Sequence, residues 1–255
     1  MELVLLAVLA YFAGFVDAVV GGGGLIQIPA LFTVYPQAVP GMLFGTNKMS
    51  SICGTAAATM RYTRGIKLRW PMLVPTSIGA LIFSFLGARA VTLLPLQVIR
   101  PLVLVLLIVV AAYTFHKKHF GIAHVPLLKG APERWLGFIT GAVLGFYDGF
   151  FGPGTGTFLI FIFVRVFGYD FLNASASAKV INVMTNLAAL LYFLPTGNVL
   201  WQAAAIMAVA NVLGSVSGSH LALRHGAVFV RRLFLGVLTA IILKFGYDTF
   251  NLLMA

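Results

Sequence analysis

The chain has 255 residues, of which 60% are apolar and only 9% charged, and its mean hydropathy is +1.01. A soluble domain of this length carries about 25% charged residues, so the composition excludes soluble enzymes, nucleic-acid modules and secreted scaffolds and points to a lipid bilayer. The net charge of +11 then reads as Lys and Arg gathered in cytoplasmic loops, as membrane proteins arrange them, rather than as an affinity for nucleic acid.

The opening MELVLLAVLAYF lacks a basic n-region, and its first charge is Glu2. It is therefore expected to stay as the first membrane helix rather than be cleaved. Apolar runs broken by charge or by Gly and Pro predict five segments: Leu3–Val20, Leu25–Tyr35, Leu43–Met60, Met72–Val91 and Val98–Phe115. A basic linker follows, and after it come Trp135–Phe151, Gly156–Phe167, Ala174–Leu194, Val199–Leu223 and Phe229–Leu252. Spanning a hydrocarbon core of roughly 30 Å takes about 17–25 helical residues. The segments Leu25–Tyr35 and Gly156–Phe167 are too short for that. The single cysteine, Cys53, can form no internal disulfide and sits among small residues as a core side chain.

The two sets of segments repeat. A shift of 131 residues pairs Gly14 with Gly145, Asp17 with Asp148, Gly21 with Gly152, Lys48 with Lys179, Trp70 with Trp201 and Arg100 with Arg231. Asp and Lys are scarce in this chain, so their recurrence in register inside apolar segments argues for an internal duplication. The predicted organisation is residues 1–115 as a first repeat, 116–133 as a cytoplasmic linker and 134–255 as a second repeat. Arg61, Arg64, Lys67 and Arg69 fill one loop; Lys117, Lys118, Lys129 and Arg134 fill the linker region; Arg224, Arg231 and Arg232 follow the ninth segment. All three should be cytoplasmic. The loop equivalent to the first of them is the uncharged LPTGN, which should be external. Equivalent loops on opposite sides make an inverted-topology repeat. The expectation is an all-α polytopic membrane protein with two inverted repeats of about five segments each and both termini outside the cytoplasm. The short segments are either brief crossings or re-entrant hairpins.

Three constellations carry the chemistry. Half one reads GFVDAVVGGGGLIQIPAL and half two GFYDGFFGPGTGTFLIF, each putting glycine-rich backbone before a helix too short to span. Irregular backbone at membrane depth survives where it lines a cavity or is buried in protein, and the first turn of the next helix offers free N–H groups at a positive dipole end. Gly21, Gly22, Gly23 and Gly24, with Gly152, Gly154 and Gly156, would let an anion approach those groups, and Thr155 and Thr157 would add hydroxyl donors. The alternative role for these glycines is close helix packing. Lys48 and Lys179 lie inside the third segment of each half and head polar stripes, with Ser51 and Thr55 on one helix face and Ser175, Asn182 and Asn186 on the other. They bind an anion or snorkel to the headgroups. Asp17 and Asp148 are the acidic residues deepest in apolar segments. Three roles are open to them: pairing with the lysines, carrying a proton, or capping the helix break.

His116 and His119 lack a third ligand, so no metal and no cofactor is expected. Arg89, His220, Arg100 and Arg231 flank segment ends. Gly214, Gly218, Asn211 and Ser215 read as a close helix contact. No Ser–His–Asp, HExxH or Cys cluster points to catalysis, and the chain is not expected to be an enzyme.

AGFVDAVVGGGGLIQIPAL, GTNKMSS and GFYDGFFGPGTGTFL together resemble the TauE/SafE family of membrane transporters, also called the sulfite exporter or TSUP family, and in particular its YfcA-like branch. The resemblance covers nearly the whole chain. It implies transport of sulfite, organosulfonates and related sulfur or carboxylate anions across the bacterial inner membrane. GPGTG in half two departs from GGGG in half one, so the two half-sites are not identical. The expected function is a secondary transporter of small anions working by alternating access, with proton coupling as an option. The alternative is an anion channel using the same cradle. The expected partners are a small anionic substrate, the lipid bilayer and, in a homodimer, a second copy of the chain.

Overall fold

The computed structural model describes residues 1–90 and 121–254. The expected segment Val98–Phe115, together with Arg100, His116, Lys117, Lys118 and His119, lies outside the described residues. The described residues are helical, without strands: α1 (Glu2–Val20), α2 (Gly24–Val34), α3 (Pro40–Gly65), α4 (Trp70–Ala90), α5 (Ala131–Phe150), α6 (Thr155–Arg165), α7 (Phe171–Phe193) and α8 (Trp201–Met254). Among them α1, α4, α7 and the Trp201–Ala240 part of α8 are long and apolar enough to cross a membrane, while α2 and α6 have 11 residues each. At about 1.5 Å per residue, such short helices cover roughly half of a hydrocarbon core.

Two boundaries differ from the sequence reading. Helix α3 runs from Pro40 to Gly65 and so extends past the apolar stretch Leu43–Met60 at both ends. Pro40 suits a first helical turn, where its missing N–H is not needed. Its polar Thr46, Asn47, Lys48, Ser50 and Thr55 are buried, so α3 faces protein, and hydropathy alone undercounts it. The ninth and tenth segments form one element interrupted at Gly226 (φ 72°). Beyond that break Val230, Phe234 and Leu238 are buried, with the Phe234 ring 5.1 Å from that of Phe171 at the start of α7.

Helix directions follow from the contacts. Gly45 of α3 abuts Phe193 of α7, Thr55 meets Asn186, and Tyr62 and Ser175 both donate to the carbonyl of Ala18. As the numbering rises along α3 it falls along α7, so these two helices, equivalent under the 131-residue shift, are antiparallel. Helix α5 runs parallel to α4. Gly141 packs on Thr76, Gly145 on Ala80 and Gly149 on Ser84. A methyl group at any of these three would come to 2.6 Å or closer to the partner's backbone, and this close approach is what the four-residue glycine spacing provides. Helix α1 packs in parallel on α8 in the same way, with Tyr11 against Gly214 and Phe15 against Gly218. These contacts exchange under the shift: Gly14–Asn211 maps onto Gly145–Ala80, and Gly218–Phe15 onto Gly87–Phe146. The first helix of each half thus packs along the fourth segment of the other.

The basic stretches collect at one end of this bundle. Gly65 abuts Leu223, Arg61 lies 3.2 Å from His220, and Arg69 pairs with Glu133 in the first turn of α5. The linker is strapped to the same end, where Val125 and Leu127 donate to the carbonyls of Gly168 and Phe167. The uncharged 194–198 turn lies at the other end, where Asn198 touches Gly41 and Gly45.

The Arg69–Glu133 pair at 2.9 Å breaks the internal symmetry. The shift carries Glu133 back to Glu2 but Arg69 forward to Leu200, so the arginine of the pair has an uncharged equivalent. Glu133 is 2% exposed. Glu133→Gln should cost about 1.5–3 kcal/mol, the range for losing a hydrogen bond to a charged group, whereas Glu2→Gln should cost nothing measurable. Thermal melting of the two purified variants checks this, and equal melting would show that the pair does not clasp the linker end.

Candidate substrate-binding site

Each half breaks its helix pair at glycine. Helix α1 ends on Gly21 in the left-handed region (φ 80°), with its N–H donating to the Asp17 carbonyl. In half two Gly152 (φ 91°) and Gly154 (φ 84°) lead into α6. A side chain at such angles is strained, and glycine is not. The two breaks lie back to back. A Cβ on Gly21 would sit 2.3 Å from the backbone of Gly156, and one on Gly24 3.4 Å from Pro153.

The lysines and aspartates pair across the halves. Lys48 of α3 reaches Asp148 of α5 at 2.5 Å, and Lys179 of α7 reaches Asp17 of α1 at 2.9 Å. The shift converts one pair into the other. Lys179 is fully buried and Lys48 3% exposed, so neither snorkels to headgroups. Asp17 also accepts from the Gly23 N–H at 3.3 Å, and it therefore caps the start of α2 as well as pairing with a cation. The pairs flank the Thr55–Asn186 contact. Each lysine lies seven residues before its helix's member of that contact, about 10 Å along the axis, and antiparallel α3 and α7 put the two pairs on opposite sides of it. Lys179–Asp17 is on the side of the basic end, and Lys48–Asp148 on the other.

Between them lies a polar cavity of about 30 Å³, room for on the order of two waters. Ten of its twelve lining residues are among the expected ones: Gly21, Gly24, Lys48, Ser51, Gly152, Gly156, Asn182 and Asn186, with Asp17 and Asp148. Gly22, Gly23, Gly154, Thr155, Thr157 and Lys179 do not line it. The hydroxyl of Thr155 donates to the Gly152 carbonyl at 2.8 Å and that of Thr157 to Val20 at 3.0 Å. Both therefore fasten the breaks instead of pointing a donor at a ligand.

Asn47 and Thr55 also line the cavity. Asn47 stands outside the sequence-derived set, although Asn47, Ser51 and Thr55 share the four-residue spacing of one helix face. The side-chain oxygens of Asn47 and Asn182 are buried without a hydrogen-bond partner. Such an orphan costs about 1–3 kcal/mol unless a water or another donor meets it.

The sequence model of the family described as Sulfite exporter TauE/SafE matches residues 6–245. The chain belongs to this family. It is similar to three curated proteins of bacteria, each carrying the name probable membrane transporter protein. With ORF9 of Sinorhizobium sp it is 34% identical, over 95% of this chain and 91% of that one. With a Haemophilus influenzae protein it is 32% identical, over 90% of this chain and 88% of that one. With YfcA of Escherichia coli it is 32% identical, over 94% of this chain and 88% of that one. No solved structure matches the chain. As a TauE/SafE membrane transporter with several apolar helices, it is a multi-pass membrane protein, and the cavity at the crossing of its two breaks is its candidate site.

Proposed function

We propose that this TauE/SafE transporter carries small anions, of the sulfite, organosulfonate or related sulfur-containing or carboxylate class, by alternating access in a bacterial inner membrane. The observation that carries the reading is the cavity itself: it lies where two broken helices cross, at the interface of two antiparallel equivalents, as transporter sites do. Lys48 lines it together with glycines of both breaks; ammonium and amide N–H groups are donors, and an oxyanion presents acceptors. The anion class rests on the family and on these donors. A 30 Å³ cavity is small for an anion of four or more heavy atoms, which supports movement of the halves around a fixed site over flow through a standing pore. A counterflow screen of small anions in proteoliposomes tests this: saturable exchange of one anion class supports it, and unsaturated downhill flux refutes it in favour of a channel.

The orientation proposed is the basic end inward, by the loop-charge rule, which puts the N-terminus and the 194–198 turn outside. Cysteine placed at Arg64 or at Thr196 in a Cys53→Ser background should react with an impermeant maleimide on intact cells only at position 196. Equal labelling at both positions would overturn the inverted arrangement.

A further inference from the structure

The charges at the cavity already cancel. Lys48 holds Asp148 and Lys179 holds Asp17, each pair at hydrogen-bond distance, the first almost removed from solvent and the second with Asp17 15% exposed. An anion entering the cavity meets, among the described residues lining it, Lys48 as the only cation, and that lysine already has a carboxylate partner. If both carboxylates stayed ionised, the buried site would gain an uncompensated negative charge, which is strongly unfavourable at low dielectric. Unless a metal cation enters with it, the anion is accepted only where one carboxylate gives up its charge. Both aspartates line the cavity, where an incoming anion would meet them.

We propose that the proton is the co-transported ligand and that Asp148 and Asp17 are its binding sites, one in each gate. The inference rests on the anion-transport reading above. The anion takes the carboxylate's place as acceptor on the lysine, which stays an ammonium, and the displaced carboxylate binds one proton from the aqueous side then open. Charge is conserved, because one anion and one proton enter together. The two pairs lie on opposite sides of the Thr55–Asn186 contact and each joins the two halves. Breaking Lys48–Asp148 releases the halves on one side and breaking Lys179–Asp17 on the other, so exchange of partners on a lysine is the same event as opening a gate. The other titratable groups leave the aspartates this role. Asp148 faces Lys48 from α3. Asp17 faces Lys179 from α7, with Tyr62 of α3 donating to the Ala18 carbonyl. Tyr147 donates to the Pro153 carbonyl. Arg89 of α4, Arg165 of α6 and the Arg61–His220 contact of α3 and α8 lie nearer helix ends.

The test uses methanesulfonate, whose charge is permanent, so that any proton taken up belongs to the protein. In weakly buffered detergent, the full-length protein should take up one proton per anion bound, and wherever that uptake is complete its apparent Kd should rise about tenfold per pH unit. In Asp148→Asn or Asp17→Asn one lysine is released from its carboxylate, so that slope should flatten and binding at the alkaline end should tighten. Binding without proton uptake overturns the coupling and leaves anion transport standing, and this wild-type measurement decides even where a variant fails to fold. Wild-type slopes in both variants also overturn it. Failure of both methanesulfonate and sulfite to bind or to counterflow overturns the underlying reading instead.

Discussion

Lys48→Met should cost about 3–5 kcal/mol of stability, because it strands Asp148 as a buried unpaired carboxylate. The Asp148 side chain is 8% exposed and pairs with Lys48 at 2.5 Å. A charge of that kind either holds water around it or drives the helices apart, and protein yield and melting temperature should both fall. The double variant Lys48→Met with Asp148→Asn removes both charges and should recover most of the loss, since a buried pair is worth little against neutral groups of similar size. Transport should not recover with it. A charge-assisted hydrogen bond to substrate contributes about 1.5–3 kcal/mol, so the stable double variant should bind its anion roughly ten- to a hundred-fold more weakly. Melting and binding measured on the same preparations separate the two roles. A stable double variant with wild-type affinity would reduce Lys48 to a structural strut.

The second large effect is expected at Gly21. Alanine there is strained by a φ of 80°, and its methyl group would lie 2.3 Å from the backbone of Gly156. Left-handed strain of about 1–2 kcal/mol and overpacking of about 1–3 kcal/mol act together. The obstacle is the backbone of the opposite break and not a side chain that can rotate away. Folding and transport should therefore fail together. Gly154→Ala is the informative contrast, because its φ of 84° carries similar strain but its nearest neighbour is the side chain of Leu25 at 3.6 Å. Gly154 also lies off the cavity. This variant should fold with a melting temperature lowered by about 1–2 kcal/mol of strain and keep its ligand-induced stabilisation. Equal damage from both substitutions would show that strain alone, and not the contact between the breaks, governs the site.

The sequence by itself determined the membrane environment, the helical segments and the residues where the polar chemistry collects. A 9% charged, 60% apolar chain has nowhere but lipid to put its surface. Polar side chains in such a chain are few enough to be conspicuous, and each is costly unless buried against protein. Lys48, Lys179, Asp17 and Asp148 stood out for that reason, and so did the glycine breaks, which no spanning helix would tolerate without a cavity or a partner. The same four-residue period includes Asn47, one turn before Ser51. Other features depended on distance in space rather than order along the chain. That Lys48 meets Asp148 rather than Asp17 is decided by the interlocking of the halves, because α5 lies along α4 and α1 along α8. That Thr155 and Thr157 serve the backbone is decided by carbonyls left open where the two breaks cross, which local sequence does not reveal. A hydrophobic period says which face of a helix turns inward. Only the packing of one antiparallel half against the other says what that face meets.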